Sequence, residues 1–188
     1  MRRLIASEGI TLDGYFSGPR GEIDWQALGK DFNGYSIELL EAADTLLFGR
    51  ITYEQMKAWW PTPAGQRYSP AIARSMNTLA KLVAATQAVD VSWHNSRQIS
   101  GELAEVVTDL KAQPGKDIVV LGSASLVAQL TDRGLIDEYH LTINPVVLAA
   151  GTPLFGNVRE RHRLKLMETR PYAAGNVLLR YEPDLSHE

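Results

Sequence analysis

The chain has 188 residues and a net charge of −3, so nothing in the overall charge draws it to nucleic acid or an anionic membrane. There is no cysteine, which excludes disulfides, thiolate metal sites and a cysteine nucleophile and fits a reducing compartment. The apolar stretch after Arg2 and Arg3 is broken by Ser7, Glu8 and Asp13, too short and polar for a signal peptide, and no run approaches the roughly 18 apolar residues of a membrane helix, so a cytoplasmic location is expected.

In chain order, residues 2–7, 45–48, 81–86 and 117–121 are short apolar runs without alternation, the pattern of strands buried on both faces of a parallel sheet. Helical periodicity separates them. Residues 34–43 place Ile37, Leu40 and Ala43 on one side. Residues 102–113 carry Leu103, Val106, Val107 and Leu110 at i, i+3, i+4 and i+7, with Gly115 just beyond as a C-terminal stop. Trp59 and Trp60 close a helix, with one ring in the core. Residues 61–70, with three prolines and little periodicity, read as a surface loop. Leu126, Val127 and Leu130 mark a short helix after Ser123. Residues 138–147 alternate in part, and residues 164–170 and 176–181 flank a turn containing Gly175, which predicts a C-terminal antiparallel hairpin. The expected architecture is an α/β domain spanning 1–188, with a mixed, mostly parallel sheet, helices on both faces and the hairpin at one edge.

Two strand-to-helix turns can do chemistry. Phe48-Gly49-Arg50-Ile51-Thr52 combines a glycine that admits close backbone approach, a planar cation suited to phosphate, and a hydroxyl at a candidate N-cap. Leu121-Gly122-Ser123-Ala124-Ser125-Leu126 offers small residues on which a pyrophosphate could lie, without a P-loop lysine. Each also reads as a plain capped turn, but both would face one edge of the sheet. A third segment, Thr11-Leu12-Asp13-Gly14, is either a simple turn or a loop over a site, with Trp25 as a stacking surface or a core residue. The acidic pair Asp137-Glu138 lies just before a strand and reads first as a solvated turn. His94, His140, His162 and His187 lack metal-ligand spacing, so no metal is expected. There is no Gly-x-Ser-x-Gly elbow to suggest a serine hydrolase.

Taken together, Leu12-Asp13-Gly14, Gly49-Arg50-Ile51-Thr52-Tyr53-Glu54, Leu121-Gly122-Ser123, Leu135-Ile136-Asp137-Glu138-Tyr139 and Gly151-Thr152-Pro153-Leu154-Phe155 resemble the C-terminal reductase domain of bacterial riboflavin-biosynthesis proteins, which shares the dihydrofolate reductase fold. The resemblance runs from about residue 2 to 181. It implies an NADPH-dependent reductase of a pyrimidine- or pterin-like small molecule and a homodimer. The riboflavin branch itself reduces 5-amino-6-(5-phosphoribosylamino)uracil. By motif, Gly49, Arg50, Thr52 and Thr86 would hold cofactor phosphates, and Gly122, Ser123, Ala124, Ser125 and Leu126 would line the pyrophosphate. Asp13 would be catalytic, and Trp25 and Glu138 would lie toward substrate. Relatives often carry a Ser-Arg-Thr-like grip for the 2′-phosphate where this chain has Ala84-Ala85-Thr86-Gln87, which leaves NADH open as cofactor. Without cysteine, the zinc deaminase domain often fused to that reductase is not expected here. Two other readings remain: a heterocycle-binding module without cofactor grip, and a doubly wound flavin- or nucleotide-binding protein, against which the antiparallel hairpin argues.

Overall fold

A computed structural model describes residues 1–27 and 29–186. Strand β1 (Leu4–Thr11) leads through β2 (Tyr15–Ser17) to α1 (Lys30–Ala42) and β3 (Ala43–Gly49). Then come α2 (Arg50–Trp59), α3 (Pro63–Tyr68), α4 (Pro70–Thr78), β4 (Ala80–Ala84) and β5 (Ser96–Gln98). The chain continues through α5 (Leu103–Ala112), β6 (Asp117–Val120), α6 (Ala124–Asp132) and β7 (Glu138–Asn144). It ends with β8 (Thr152–Pro153), β9 (Leu164–Pro171) and β10 (Val177–Pro183).

The main sheet runs β5-β4-β3-β6-β1-β7-β10-β9. The strands from β5 to β7 pair in parallel, and β10 joins β7 and β9 antiparallel. Alternate residues along each central strand pack on opposite faces. Leu4, Ala6, Leu47, Ile118 and Val120 meet α5 and α6 through Val107, Leu110, Leu126 and Leu130. Ile5, Leu46, Phe48 and Val119 meet α1, α2 and α4 through Leu39, Tyr53, Ile72 and Met76. Two buried faces explain why these strands read as unbroken apolar runs. The mixed, mostly parallel sheet with helices on both faces and a terminal hairpin is the architecture the sequence predicts.

The stretch 61–70 is not the expected loop. Pro63 and Pro70 occupy the first turns of α3 and α4, where a missing N–H costs nothing. Thr62 caps α3 by accepting from the Gly65 N–H at 3.1 Å. Of the tryptophan pair, Trp59 is exposed, while Trp60 packs partly against the core.

Candidate active site at the carboxyl edge of the sheet

A cavity of about 460 Å³ opens where β1, β6 and β7 end, between α1, α2, α4 and the first turn of α6. This is the edge at which open α/β sheets take ligands, because the chain diverges there to opposite faces. The two glycine turns meet beside it. The Gly49 N–H donates to the Gly122 carbonyl at 2.9 Å. A Cβ on Gly49 would lie 2.6 Å from Ser123 Oγ and 3.2 Å from the Ser123 backbone nitrogen, so the glycine lets the two turns pack closely. Gly122 adopts φ +75° ahead of a cis peptide to Ser123, and a Cβ there would lie 2.8 Å from the Phe16 ring.

Helices α2 and α6 spring directly from these turns. Neither N-terminus has a side-chain cap, and neither first turn holds an acidic residue. Both present open N–H groups and the positive dipole end to the same edge, a donor set suited to the phosphates of a nicotinamide dinucleotide. Ser123, Ala124 and Ser125 line the cavity, and so does the nearly buried Thr52. Thr52 sits inside α2 rather than capping it, since Gly49 holds the N-cap position.

The other expected cofactor contacts divide. Leu126 is buried in the core and its N–H returns to the Ser123 carbonyl, so it supports the turn from behind and has no donor to offer a pyrophosphate. Arg50 stands at the start of α2, partly exposed and paired with Glu54 at 3.0 Å, outside the cavity wall. Thr86 is exposed just past β4, whose Ala84 aligns with Gly49, so it lies on the same sheet edge.

The expected substrate-facing residues do not converge. Asp13 is exposed and ties two loops together. It accepts from Thr11 Oγ1 at 2.6 Å and from the Leu148 and Ala149 N–H groups at 3.2 and 2.8 Å. The Thr11 hydroxyl above all, then the two amides, hold its carboxyl below the ordinary range. Trp25 is half-buried and donates to the Glu22 carbonyl, while its neighbours Ile23 and Gln26 line the cavity in its place.

Glu138 begins β7, four residues before Thr142 in the cavity wall, and the structure does not bring it to the cavity. It is held by Arg3, by Arg180 at 2.8 Å and by His140 at 2.9 Å. Burial pushes its carboxyl up, but hydrogen bonds from Arg180 and His140 outweigh that and keep it below the ordinary range.

Three wall residues were not singled out from the sequence. Glu8, on β1, is 4% exposed and accepts from the Gly122 N–H at 2.7 Å. Burial, opposed only by that hydrogen bond, pushes its carboxyl up to about 8. Tyr35, on α1, bonds Ser7 Oγ at 3.0 Å and His140 Nδ1 at 2.8 Å, forming a buried chain from the cavity wall into the sheet. Asn144 accepts from the Ala27 N–H at 2.8 Å and donates to the Ile10 carbonyl, pinning the cavity's outer loop to the end of β1. The available signal for Glu8 was a lone charge inside an apolar strand.

Among the described residues, no three His, Asp or Glu side chains converge as a metal site requires, and no helix is long and apolar enough to cross a membrane. His187 lies outside the described residues.

The family model of the RibD C-terminal domain matches residues 2–178. The uncharacterized protein YyaP of Bacillus subtilis is 33% identical over 180 residues, covering 96% of this chain and 94% of YyaP. The structure of a putative riboflavin biosynthesis protein from Shewanella sp. PV-4 superposes with TM-score 0.74 at 20% identity, covering 97% of this chain and 99% of that one. Dihydrofolate reductase from Enterococcus faecalis, complexed with NADP(H), superposes with TM-score 0.64 at 15% identity, over 97% of this chain and 96% of that one. The fold is that of dihydrofolate reductase.

Proposed function

We propose that this chain, which belongs to the RibD C-terminal domain family, is an NADPH-dependent reductase of a pyrimidine- or pterin-like small molecule. The observation that carries the reading is the junction of the two glycine turns, where two uncapped helix N-termini face one edge of the sheet beside a cavity large enough for a heterocycle. A bound nicotinamide would supply the hydride, and the protein's share is position and exclusion of water.

The chain's own residues divide that work. The open N–H groups of α2 and α6, with Ser123 and Ser125, hold the pyrophosphate. Arg50 leaves Glu54 to reach a phosphate, and Thr86 donates to a 2′-phosphate. Asp13 acts as a positioning residue, keeping the loop after β1 fastened to residues 148–149. A cytoplasmic homodimer goes with this reading.

The test is cofactor oxidation by the purified protein with 5-amino-6-(5-phosphoribosylamino)uracil and, separately, with dihydrofolate. The reading expects turnover of at least one with NADPH, and no oxidation above the protein-free rate with either would count against it. The absence of an arginine at residues 84–87 favours a second reading, a heterocycle-binding module without cofactor grip. Binding of a pterin without binding of NADPH or NADH would select it.

A further inference from the structure

We propose that Glu8 selects the ligand of the cavity: its carboxylic acid donates a hydrogen bond to a carbonyl oxygen or imine nitrogen of an uncharged ring seated there. This names the substrate class of the site and rests on the reading of that cavity as the substrate pocket.

The geometry fixes one half of the carboxyl and leaves the other free. One oxygen accepts from the Gly122 N–H at 2.7 Å, which holds the group under the turn whose next residues, Ser123 and Ala124, line the cavity. The second oxygen has no hydrogen-bond partner among the described residues. Glu8 lines the cavity, where a ligand atom could pair with that oxygen.

The surroundings decide which form of the acid is present. Glu8 is the one acidic side chain in the described cavity wall, and that wall holds no lysine, arginine or histidine. The wall's other ionisable groups are the hydroxyls of Tyr35 and Tyr68, and Tyr35 is already bonded to Ser7 and His140. On β6, Val119 and Val120 are apolar, and residues 121–125 carry no ionisable side chain. On β7, Leu141 aligns with Glu8, and the adjacent His140 is engaged by Tyr35, Glu138 and Arg180. A carboxylate here would be buried without a cation, so the neutral acid prevails at neutral pH, in keeping with its ionisation near 8. A neutral carboxyl with one oxygen occupied as acceptor presents its O–H outward, which matches a ring acceptor and not a ring N–H.

The probe is 1,3-dimethyluracil, which has two carbonyl acceptors and no ionisable proton, followed by ligand-detected NMR from about pH 6 to about pH 9.5 without cofactor. Wild-type affinity should hold to about pH 7.5 and then fall, approaching tenfold per pH unit above about 8. Glu8→Gln keeps both the acceptor for Gly122 and an outward donor, so its affinity should stay level across the range. No binding at any pH, binding by the wild type that does not change with pH, or an equal fall in both proteins would each overturn the proposal. NADPH takes no part, so failure here leaves the reductase reading standing. Failure of the turnover assay leaves this titration unaffected.

Discussion

Replacing Glu8 by glutamine should flatten the dependence of stability on pH. The carboxyl ordinarily ionises near 4.5 and does so at about 8 in the folded protein, where burial disfavours the charge. Below 4.5 both folded and unfolded chains hold the proton, and the group's contribution is fully present. Between 4.5 and 8 the unfolded chain releases the proton while the folded one keeps it, so stability falls as pH rises, by about 1.4 kcal/mol per unit. Above 8 both states are ionised and the loss is complete, on the order of 5 kcal/mol over the window. That is a large share of the roughly 5–15 kcal/mol that holds a domain folded. Glutamine keeps the shape and the hydrogen bond to Gly122 without a proton to lose. Urea unfolding followed by tryptophan fluorescence at pH 5 and pH 8 should show the two proteins close at the lower pH and the variant several kcal/mol more stable at the higher. An unchanged difference at the two pH values would refute the reasoning and return Glu8 to an ordinary carboxylate.

Gly122→Ala should lower the melting temperature, since left-handed backbone costs a non-glycine residue about 1–2 kcal/mol and the new methyl would meet Phe16 and Thr52 below 3 Å. A melting temperature equal to wild type would contradict the turn geometry. Tyr35→Phe removes the bonds to Ser7 and His140 and leaves a buried imidazole nitrogen unpaired. Urea unfolding should register about 1–3 kcal/mol of lost stability. Arg50→Ala should weaken NADPH about tenfold in a fluorescence titration, the scale of one charge-assisted hydrogen bond, and unchanged affinity would remove Arg50 from the phosphate contacts. Asp13→Asn, with one acceptor oxygen in place of two, should loosen the hold on Leu148 and Ala149 and lower the midpoint of urea unfolding slightly, and an unchanged midpoint would count against that hold.

The central strands were legible because both their faces are covered. Runs such as Thr45–Phe48 and Ile118–Val120 have no polar side to hide, and length alone separates them from helices. The hairpin was legible from its turn chemistry at Gly175. Helix α3 was not, because its six residues have no apolar stripe and are held by the Thr62 cap and by proline at the first turn. The two glycine turns announced themselves through small residues after buried strands. Their contact could not be read, since Gly49 and Gly122 are far apart in sequence and meet only through the order β3-β6 in the sheet.

Glu138 illustrates the opposite error. Its chemistry suits a polar contact, but it starts a parallel strand, and the ligand edge of such a sheet lies at the strand ends. Glu8 was visible as a charge in an apolar strand. Its meaning depended on what the folded chain sets around it, an amide from Gly122 and no cation, and spacing along one strand does not encode that.

The central claim is that the paired turns hold a nicotinamide dinucleotide. It is tested most directly by titrating the pure protein with NADPH and, separately, with NADH, following the four tryptophans, of which Trp60 lines the cavity. Saturable quenching by NADPH, tighter than by NADH, is the predicted result and would mean that Arg50 and Thr86 suffice for the 2′-phosphate. No quenching by either, in a protein that still unfolds cooperatively, would contradict the account.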